Sequence, residues 1–181
     1  MADVKIYTKG GDAGETSMLS GERVSKADAH IAAVGDLDEL SVALGFARLA
    51  HPKRADALKD IQQKLYQLSA LISFAGEKPH DRFQLEAGAV EALERLIDEI
   101  QSRLPPLKEF IYPGQTEAGC HVHQARVVAR RTERGFALLP AEKRAAAIPF
   151  INRLSDLLFV LAREADLDAG GREEGYRAGK S

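Results

Sequence analysis

Apolar residues recur along this chain at steps of three and four far more often than they alternate. From Ile31 to Ala50 the positions Ala33, Leu37, Leu40, Leu44 and Ala47 fall on one side of a 3.6-residue repeat, which predicts a helix with Asp28 placed as its N-cap. Pro52 fits a helix start better than a helix interior, and Leu58, Ile61, Leu65, Leu68 and Ile72 carry a second helix toward Gly76. A polar loop through Pro79 and Asp81 follows. The pattern returns from Leu85 to Leu104, with Val90, Leu93, Leu96, Ile97 and Ile100, until Pro105 and Pro106 stop it. A fourth helix is expected from about Glu117 to Leu139, ended by Pro140. A fifth is expected from about Ala141 to Leu167 through Ile148, Ile151, Leu154, Leu158 and Leu161, with Pro149 bending or interrupting it early.

Long helices joined by short loops predict an all-α fold, a five-helix antiparallel bundle. The 181 residues suit one domain. Its expected parts are an N-terminal arm, 1–27, with neither helix nor strand pattern, the bundle, 28–167, and a frayed tail, 168–181, with almost no apolar anchor.

Composition narrows the function classes. The net charge of -2 offers no general attraction to nucleic acid or anionic lipid. The one cysteine, Cys120, cannot form an internal disulfide, and no apolar run reads as a signal segment or a membrane span, so a cytoplasmic protein is expected.

The arm is rich in chemistry. Thr8-Lys-Gly-Gly-Asp-Ala-Gly-Glu-Thr-Ser17 combines glycines, which let backbone N–H groups approach an anion, with Lys9 and the hydroxyls of Thr8, Thr16 and Ser17. That composition suits a polyphosphate, although a flexible arm would share it. The loop is not a Walker A motif, because no strand precedes it and the lysine spacing differs. Gly179-Lys180-Ser181 is a decoy, since Glu174 stands where the first glycine should be and no helix can follow.

On the fourth helix Arg126, Arg130, Glu133 and Arg134 share one arc, with His123 beside them, next to the arc of Val122, Ala125, Ala129 and Phe136 that faces the core. Such a ladder can be a solvated face with i,i+4 pairs, but stacked guanidinium groups repel unless something anionic meets them. Asn152, Asp156 and Arg163 form a polar stripe on the fifth helix, and Asp36, Asp38 and Glu39 interrupt the first, where Asp38 could meet Arg130. Cys120, His121 and His123 lie too close on one helix to converge on one ion, so no metal site is expected there. The sole Glu-x-x-His, Glu77 to His80, contains Pro79, which disfavours di-iron chemistry.

Six blocks together resemble the PduO-type ATP:cob(I)alamin adenosyltransferases: Tyr7-Thr-Lys-Gly-Gly-Asp-Ala-Gly-Glu-Thr16, Gly21-Glu-Arg-Val-Ser-Lys26, Val34-Gly-Asp-Leu-Asp-Glu-Leu40, Phe110-Ile-Tyr-Pro-Gly114, His123-Gln-Ala-Arg-Val-Val-Ala-Arg-Arg-Thr-Glu-Arg134 and Phe150-Ile-Asn-Arg-Leu-Ser-Asp156. They span roughly residues 5–165 in the family's order. The resemblance implies a ferritin-like five-helix bundle assembled as a homotrimer, with active sites shared between subunits. It implies transfer of the 5'-deoxyadenosyl group of ATP, with Mg²⁺, to the cobalt of cob(I)alamin or a related corrinoid, releasing triphosphate. A non-catalytic nucleotide-sensing or adenosylcobalamin-delivery trimer would share the binding residues, and a purely structural bundle would bind no nucleotide.

By the same resemblance Thr8, Lys9, Gly10, Gly11, Thr16, Ser17 and Lys26 surround ATP, joined across the interface by Arg130, Glu133, Arg134 and Asn152. Asp38 pairs with Arg130, Phe110 lies at the corrinoid's lower face, and Arg126 supports the site. Gln115 replaces a common glycine and Tyr112 a common aliphatic residue in the corrinoid-side loop. A transient contact with a cobalamin reductase or a B12-dependent enzyme is also implied.

Overall fold

The computed structural model describes residues 6–7, 9–74 and 83–176. Five helices carry this part of the chain: α1 (Ala29–Ala50), α2 (Ala55–Ile72), α3 (Ala89–Gln101), α4 (Glu117–Phe136) and α5 (Ala141–Asp168). Their starts follow the capping chemistry. The Asp28 carboxylate accepts from the backbone N of His30 at 2.8 Å, and Thr116 Oγ1 accepts from that of Gly119 at 3.1 Å. Pro52 opens a separate 3₁₀ turn, Pro52–Arg54, before α2. Helix α3 is shorter than its apolar pattern, because Gly88 at φ 87 delays its start and leaves Leu85 outside.

Successive helices alternate in direction. Thr116 meets Asp166 at one end of the α4–α5 pair and Glu133 meets Asn152 further along, so residue numbers rise on one helix as they fall on the other. His121 stacks on Phe46 and Thr132 bonds the Asp36 carbonyl, which makes α1 and α4 antiparallel as well. Helix α3 runs with α5, since Arg153 reaches Glu94 and Arg163 reaches the carbonyl of Pro105 just beyond α3.

The core is centred on α5. Leu154, Leu158 and Leu161 are buried as expected, and every residue from Val160 to Asp166 is buried too, because α5 is flanked by α3 and α4 and meets α2. This helix is long and apolar enough by composition to cross a membrane, but 56% of its apolar window is buried inside the bundle, as in a core helix.

Pro149 lies inside α5 without interrupting it, so of the bend or break expected there the break does not occur. An interior proline costs about 3 kcal/mol. Phe150, Ile151 and Leu154 are fully buried immediately after it, and each such side chain contributes roughly 2 kcal/mol. The carbonyl deprived of its partner belongs to Ala145, an exposed residue within reach of water.

Two further expectations are corrected. The arm is not without regular structure: β1 (Glu15–Ser17) pairs antiparallel with β2 (Arg23–Ser25), matching Thr16 with Val24, around a turn where Gly21 takes φ 88. Met18 is buried, and the backbone N of Leu19 donates to the Ser73 carbonyl at 2.8 Å, which pins this hairpin to the end of α2. Three-residue strands are too short for a period of two to stand out in the sequence. Nor is the segment after α5 frayed throughout: as far as Tyr176 it runs back along the α3–α4 connection, forming an isolated antiparallel bridge between Ile111 and Gly175. Apart from the Tyr176 ring its anchors are backbone groups and charged side chains, so no hydrophobic pattern announces it.

Candidate active site

The glycine-rich hairpin is a knit unit. Arg23 donates to the Gly10 carbonyl at 2.9 Å, the backbone N of Lys26 to the Gly14 carbonyl at 2.9 Å, and the backbone N of Gly14 to the Gly11 carbonyl at 3.3 Å. Lys9 holds φ 59, a left-handed conformation costly for any residue but glycine. A Cβ at Gly11 would lie 3.0 Å from Lys26 Nζ, so only a glycine lets this lysine close over the turn without displacement. Lys9, Gly10, Ser17 and Lys26 are exposed and Gly11 and Thr16 half-buried, which leaves cationic and hydroxyl groups facing solvent from a braced backbone. Thr8 lies outside the described residues.

On α4 the arginine ladder stands as the 3.6-residue repeat requires. Arg126 and Arg130 line a cleft of about 270 Å³ between α3, α4 and α5, together with Gln101, Ser155, Asp156 and Phe159. Arg134 is exposed one turn on and donates to the Arg130 carbonyl at 2.9 Å. Among the described residues none of the three makes an ion pair. Burial, and then the positive charge of Arg130, hold the Arg126 guanidinium below its ordinary pKa. The ladder therefore carries like charges that no ion pair among the described residues offsets, although Asp156 lines the same cleft and Glu133 shares the arc.

Beside it, Asn152 Nδ2 donates to Glu133 Oε1 at 2.9 Å, joining two residues that the sequence places on separate helices. Asp38 stands elsewhere. It lines a groove of about 300 Å³ over α1 and α2 with Val42, Phe46, Leu49 and Tyr66, so within one chain Asp38 and Arg130 face different grooves. Phe110 is 84% exposed on the α3–α4 connection, which rules out a core plug.

The tempting Cys120, His121 and His123 group does not converge. Cys120 is exposed, His121 stacks on Phe46 at 5.6 Å, and His123 is buried. Arg126 Nε donates to His123 Nδ1 at 3.2 Å, so the ring carries its proton on Nε2, a buried nitrogen with no partner among the described residues. Burial and then the Arg126 charge lower the His123 pKa, keeping the ring neutral. The Glu77 to His80 pair lies outside the described residues.

Sequence reasoning missed a second set of charges. Arg131 pairs with Glu39 across the α1–α4 contact, and Asp156, placed with Asn152 on the polar stripe, is held by Arg153 at 2.8 Å. His51, Glu164 and Asp168 lie close enough to share a metal ion. Cations already occupy that corner, however: Arg54 grips Glu164 with two 2.7 Å bonds and Lys53 reaches Asp168 at 2.7 Å. Burial pushes the Glu164 carboxyl up, and the bonds from Arg54 and Lys53 more than reverse this, holding it at about 2.

Fold and site thus define an α-helical bundle with a guanidinium ladder on one face that makes no ion pair among the described residues, and a glycine-rich cationic hairpin at one end. The chain belongs to the cobalamin adenosyltransferase family, whose model matches residues 6–165. It is 41% identical to the corrinoid adenosyltransferase PduO of Citrobacter freundii over 169 residues, covering 91% of this chain and 50% of that protein. It is 40% identical over 182 residues to the human corrinoid adenosyltransferase MMAB, covering 95% and 73% of the two chains. The chain thus spans about half the length of the first curated relatives it matches.

Among solved structures, a phenylalanine-to-alanine variant of the PduO-type ATP:corrinoid adenosyltransferase from Lactobacillus reuteri, complexed with cobalamin and ATP, superposes with a TM-score of 0.89. The two are 32% identical, with 96% of this chain and 100% of that one covered. An arginine-to-lysine variant of the same enzyme complexed with ATP gives a TM-score of 0.85 at 32% identity, over 95% and 100% of the chains.

Proposed function

We propose that this chain is an ATP:corrinoid adenosyltransferase, moving the 5'-deoxyadenosyl group of ATP onto the cobalt of cob(I)alamin or a related reduced corrinoid. The observation that carries this reading is the ladder of Arg126 and Arg130, which line a cleft, and Arg134, exposed one turn on, none of them in an ion pair among the described residues. A triphosphate supplies the missing anion.

In the reaction the cobalt(I) electron pair of the substrate attacks C5' of ATP, the C5'–O bond breaks, and triphosphate leaves with the bonding pair. Negative charge grows on the leaving group, where guanidinium groups held by the protein stabilise it without reorganising. Lys9 and Lys26, with Gly10, Gly11, Thr16 and Ser17, wrap the phosphates from the braced hairpin, and Thr8 is assigned to ATP with them on the resemblance alone. Glu133, oriented by Asn152, has a second carboxylate oxygen free for Mg²⁺, which typically takes one or two carboxylates and completes its shell with phosphate and water. No side-chain nucleophile is needed, because the corrinoid supplies the attacking atom.

Phe110 serves the corrinoid. An exposed aromatic ring there excludes water and axial bases from the lower face of cobalt, leaving it four-coordinate and easier to reduce. Division into a nucleotide-binding arm (1–27), a bundle (28–167) and a tail is part of this reading. So is a homotrimer in which arm and ladder come from adjoining subunits, with Asp38 reaching the partner's ladder. The exposed Val42, Phe46, Leu49 and Tyr66 beside Asp38 support a second copy seated on α1. Burial of α5 and the lone Cys120 support a cytoplasmic setting.

The test adds MgATP to anaerobically reduced cob(I)alamin and follows the cobalt(I) absorption, which should decay with one triphosphate released per cobalt alkylated. Persistence of the cobalt(I) band overturns the reading. In the same assay Phe110→Ala should slow the route from cob(II)alamin more than that from pre-reduced cob(I)alamin.

A further inference from the structure

Arg163 is a buried arginine on α5 that the proposed chemistry does not use. It is 3% exposed, and its guanidinium joins two segments distant in sequence: it donates to the Pro105 carbonyl at 2.7 Å and to both carboxylate oxygens of Glu173, at 2.6 and 3.1 Å. Pro105 opens the connection that carries Phe110, and Glu173 opens the short run that returns along it. Gly170, at φ 79, and Gly171 make that return possible. A Cβ at Gly171 would meet Thr116 Cγ2 at 2.8 Å and the Asp166 carbonyl at 2.9 Å, so only glycine brings the chain this close to the start of α4.

Beyond Glu173 the two backbones pair on either side of Ile111, the residue that follows Phe110. The backbone N of Tyr112 donates to the Glu174 carbonyl at 2.9 Å, and that of Tyr176 donates to the carbonyl of Phe110 itself at 2.6 Å. The rings of Tyr112 and Tyr176 meet edge to face at 5.8 Å. Phe110 therefore has its carbonyl held by a hydrogen bond at the start of a paired segment and a ring left bare. A rigid wall against a flat ligand needs both, because a ring on a loose loop would lose its ordering entropy anew at each binding event.

We propose that residues 171–176 are a strap that positions Phe110 for the corrinoid, with the buried Arg163–Glu173 pair as its latch. This rests on the adenosyltransferase reading and assigns the C-terminal segment a part in it. Arg163 and Glu173 are positioning residues: neither touches substrate, and both act through the backbone of the Phe110 loop. The charged latch tolerates no isolated partner, since a buried guanidinium without its carboxylate is left uncompensated.

The test uses the full-length chain with Glu173→Ala and Tyr176→Pro, the second of which deletes the N–H that bonds Phe110, and Tyr176→Phe as the control that keeps it. Hydrogen exchange at the Tyr112 amide comes first. Both strap variants should exchange there about five- to tenfold faster than the unmodified chain and the control. With cob(II)alamin, MgATP and excess reductant they should turn over on the order of ten- to a hundredfold slower and lose the four-coordinate cob(II)alamin spectrum. Their KM for ATP and their rate from pre-reduced cob(I)alamin should stay within about twofold, a split that general loosening of the fold would not produce.

Equal Tyr112 exchange in all four proteins would overturn the strap, as would an intact four-coordinate spectrum in variants whose Tyr112 exchanges fast. Parallel loss of ATP binding and of both routes would reduce the segment to a structural role. If instead the unmodified chain protects Tyr112 but never consumes cob(I)alamin, the reading of the site as an adenosyltransferase fails while the strap geometry stands, and its proposed purpose falls with that reading.

Discussion

Arg131 closes an ion pair with Glu39 on α1, whereas Arg130, one position earlier and 100° round the same helix, lines the cleft and makes no ion pair among the described residues. The difference decides what each substitution does. Arg130→Ala removes a charge that makes no ion pair within its own chain among the described residues, so the fold should hold and the trimer should still assemble, with at most a small fall in melting temperature from the proposed contact with the partner's Asp38. Adenosyl transfer should fall by about 10²-fold or more, the usual cost of deleting one preorganised group at a developing charge. Steady-state kinetics beside thermal melting separates the two effects, and near-normal turnover would remove Arg130 from its assigned role. Arg126 differs again: braced by His123 and half-buried, it is suited to shaping the cleft floor rather than reaching far into it.

At the scale of elements, the corner where α1 ends and α2 begins is tied to α5 through one carboxylate. Glu164 is buried and receives Arg54, Lys53 and His51, while Arg54 extends to Glu99 on α3. Its pKa is depressed from 4.5 to about 2, so its contribution is fully present above about pH 4.5 and drains away as pH falls toward 2. That depression corresponds to a stabilisation of roughly 3 kcal/mol at neutral pH. Urea unfolding should show the unmodified chain losing about this much between pH 6 and pH 2.5, beyond any loss seen in Glu164→Gln. Glu164→Gln itself should start several kcal/mol less stable at neutral pH, because Arg54 is left without its main partner. Equal acid sensitivity of the two proteins would show that the corner does not govern acid unfolding. The opposite end of the bundle is held by Lys143, buried on α5, which donates to the carbonyls of Leu71 and Phe74 at 2.7 and 2.9 Å and so satisfies the end of α2 beside the hairpin's anchor.

For the whole molecule, the apolar strip on α1 is the feature a lone chain leaves unexplained. Val42, Phe46 and Leu49 follow one another at helical spacing, each more than half exposed, and Tyr66 adds to them from α2. A charge placed there should be tolerated by the monomer and rejected by an interface, because burying an unpaired carboxylate costs several kcal/mol. Phe46→Glu should therefore sediment as a monomer at micromolar concentration, keep its helical circular dichroism, and lose adenosyl transfer together with its quaternary structure. A variant that stays trimeric would place the contact elsewhere.

Much of the fold was legible because helices announce themselves locally. All five appear within a few residues of the expected bounds, since a 3.6-residue apolar repeat bounded by Asp28, Thr116 or Pro140 leaves the chain few alternatives. The glycine-rich loop and the arginine ladder were legible for the same reason, being defined by residue type and helical phase. The hairpin was not, because three-residue strands are too short to show alternation, and the return of residues 171–176 was not, because it pairs through backbone groups distant in sequence that carry no side-chain pattern. Residue types and their periodicity thus determined which segments are helical and which charges share a face. Only the tertiary structure decided which of those charges are neutralised, leaving Arg130 without an ion pair among the described residues and Arg131 paired, and which loop backbone is bonded beside a bare aromatic ring, because both depend on what distant segments bring within a few ångströms.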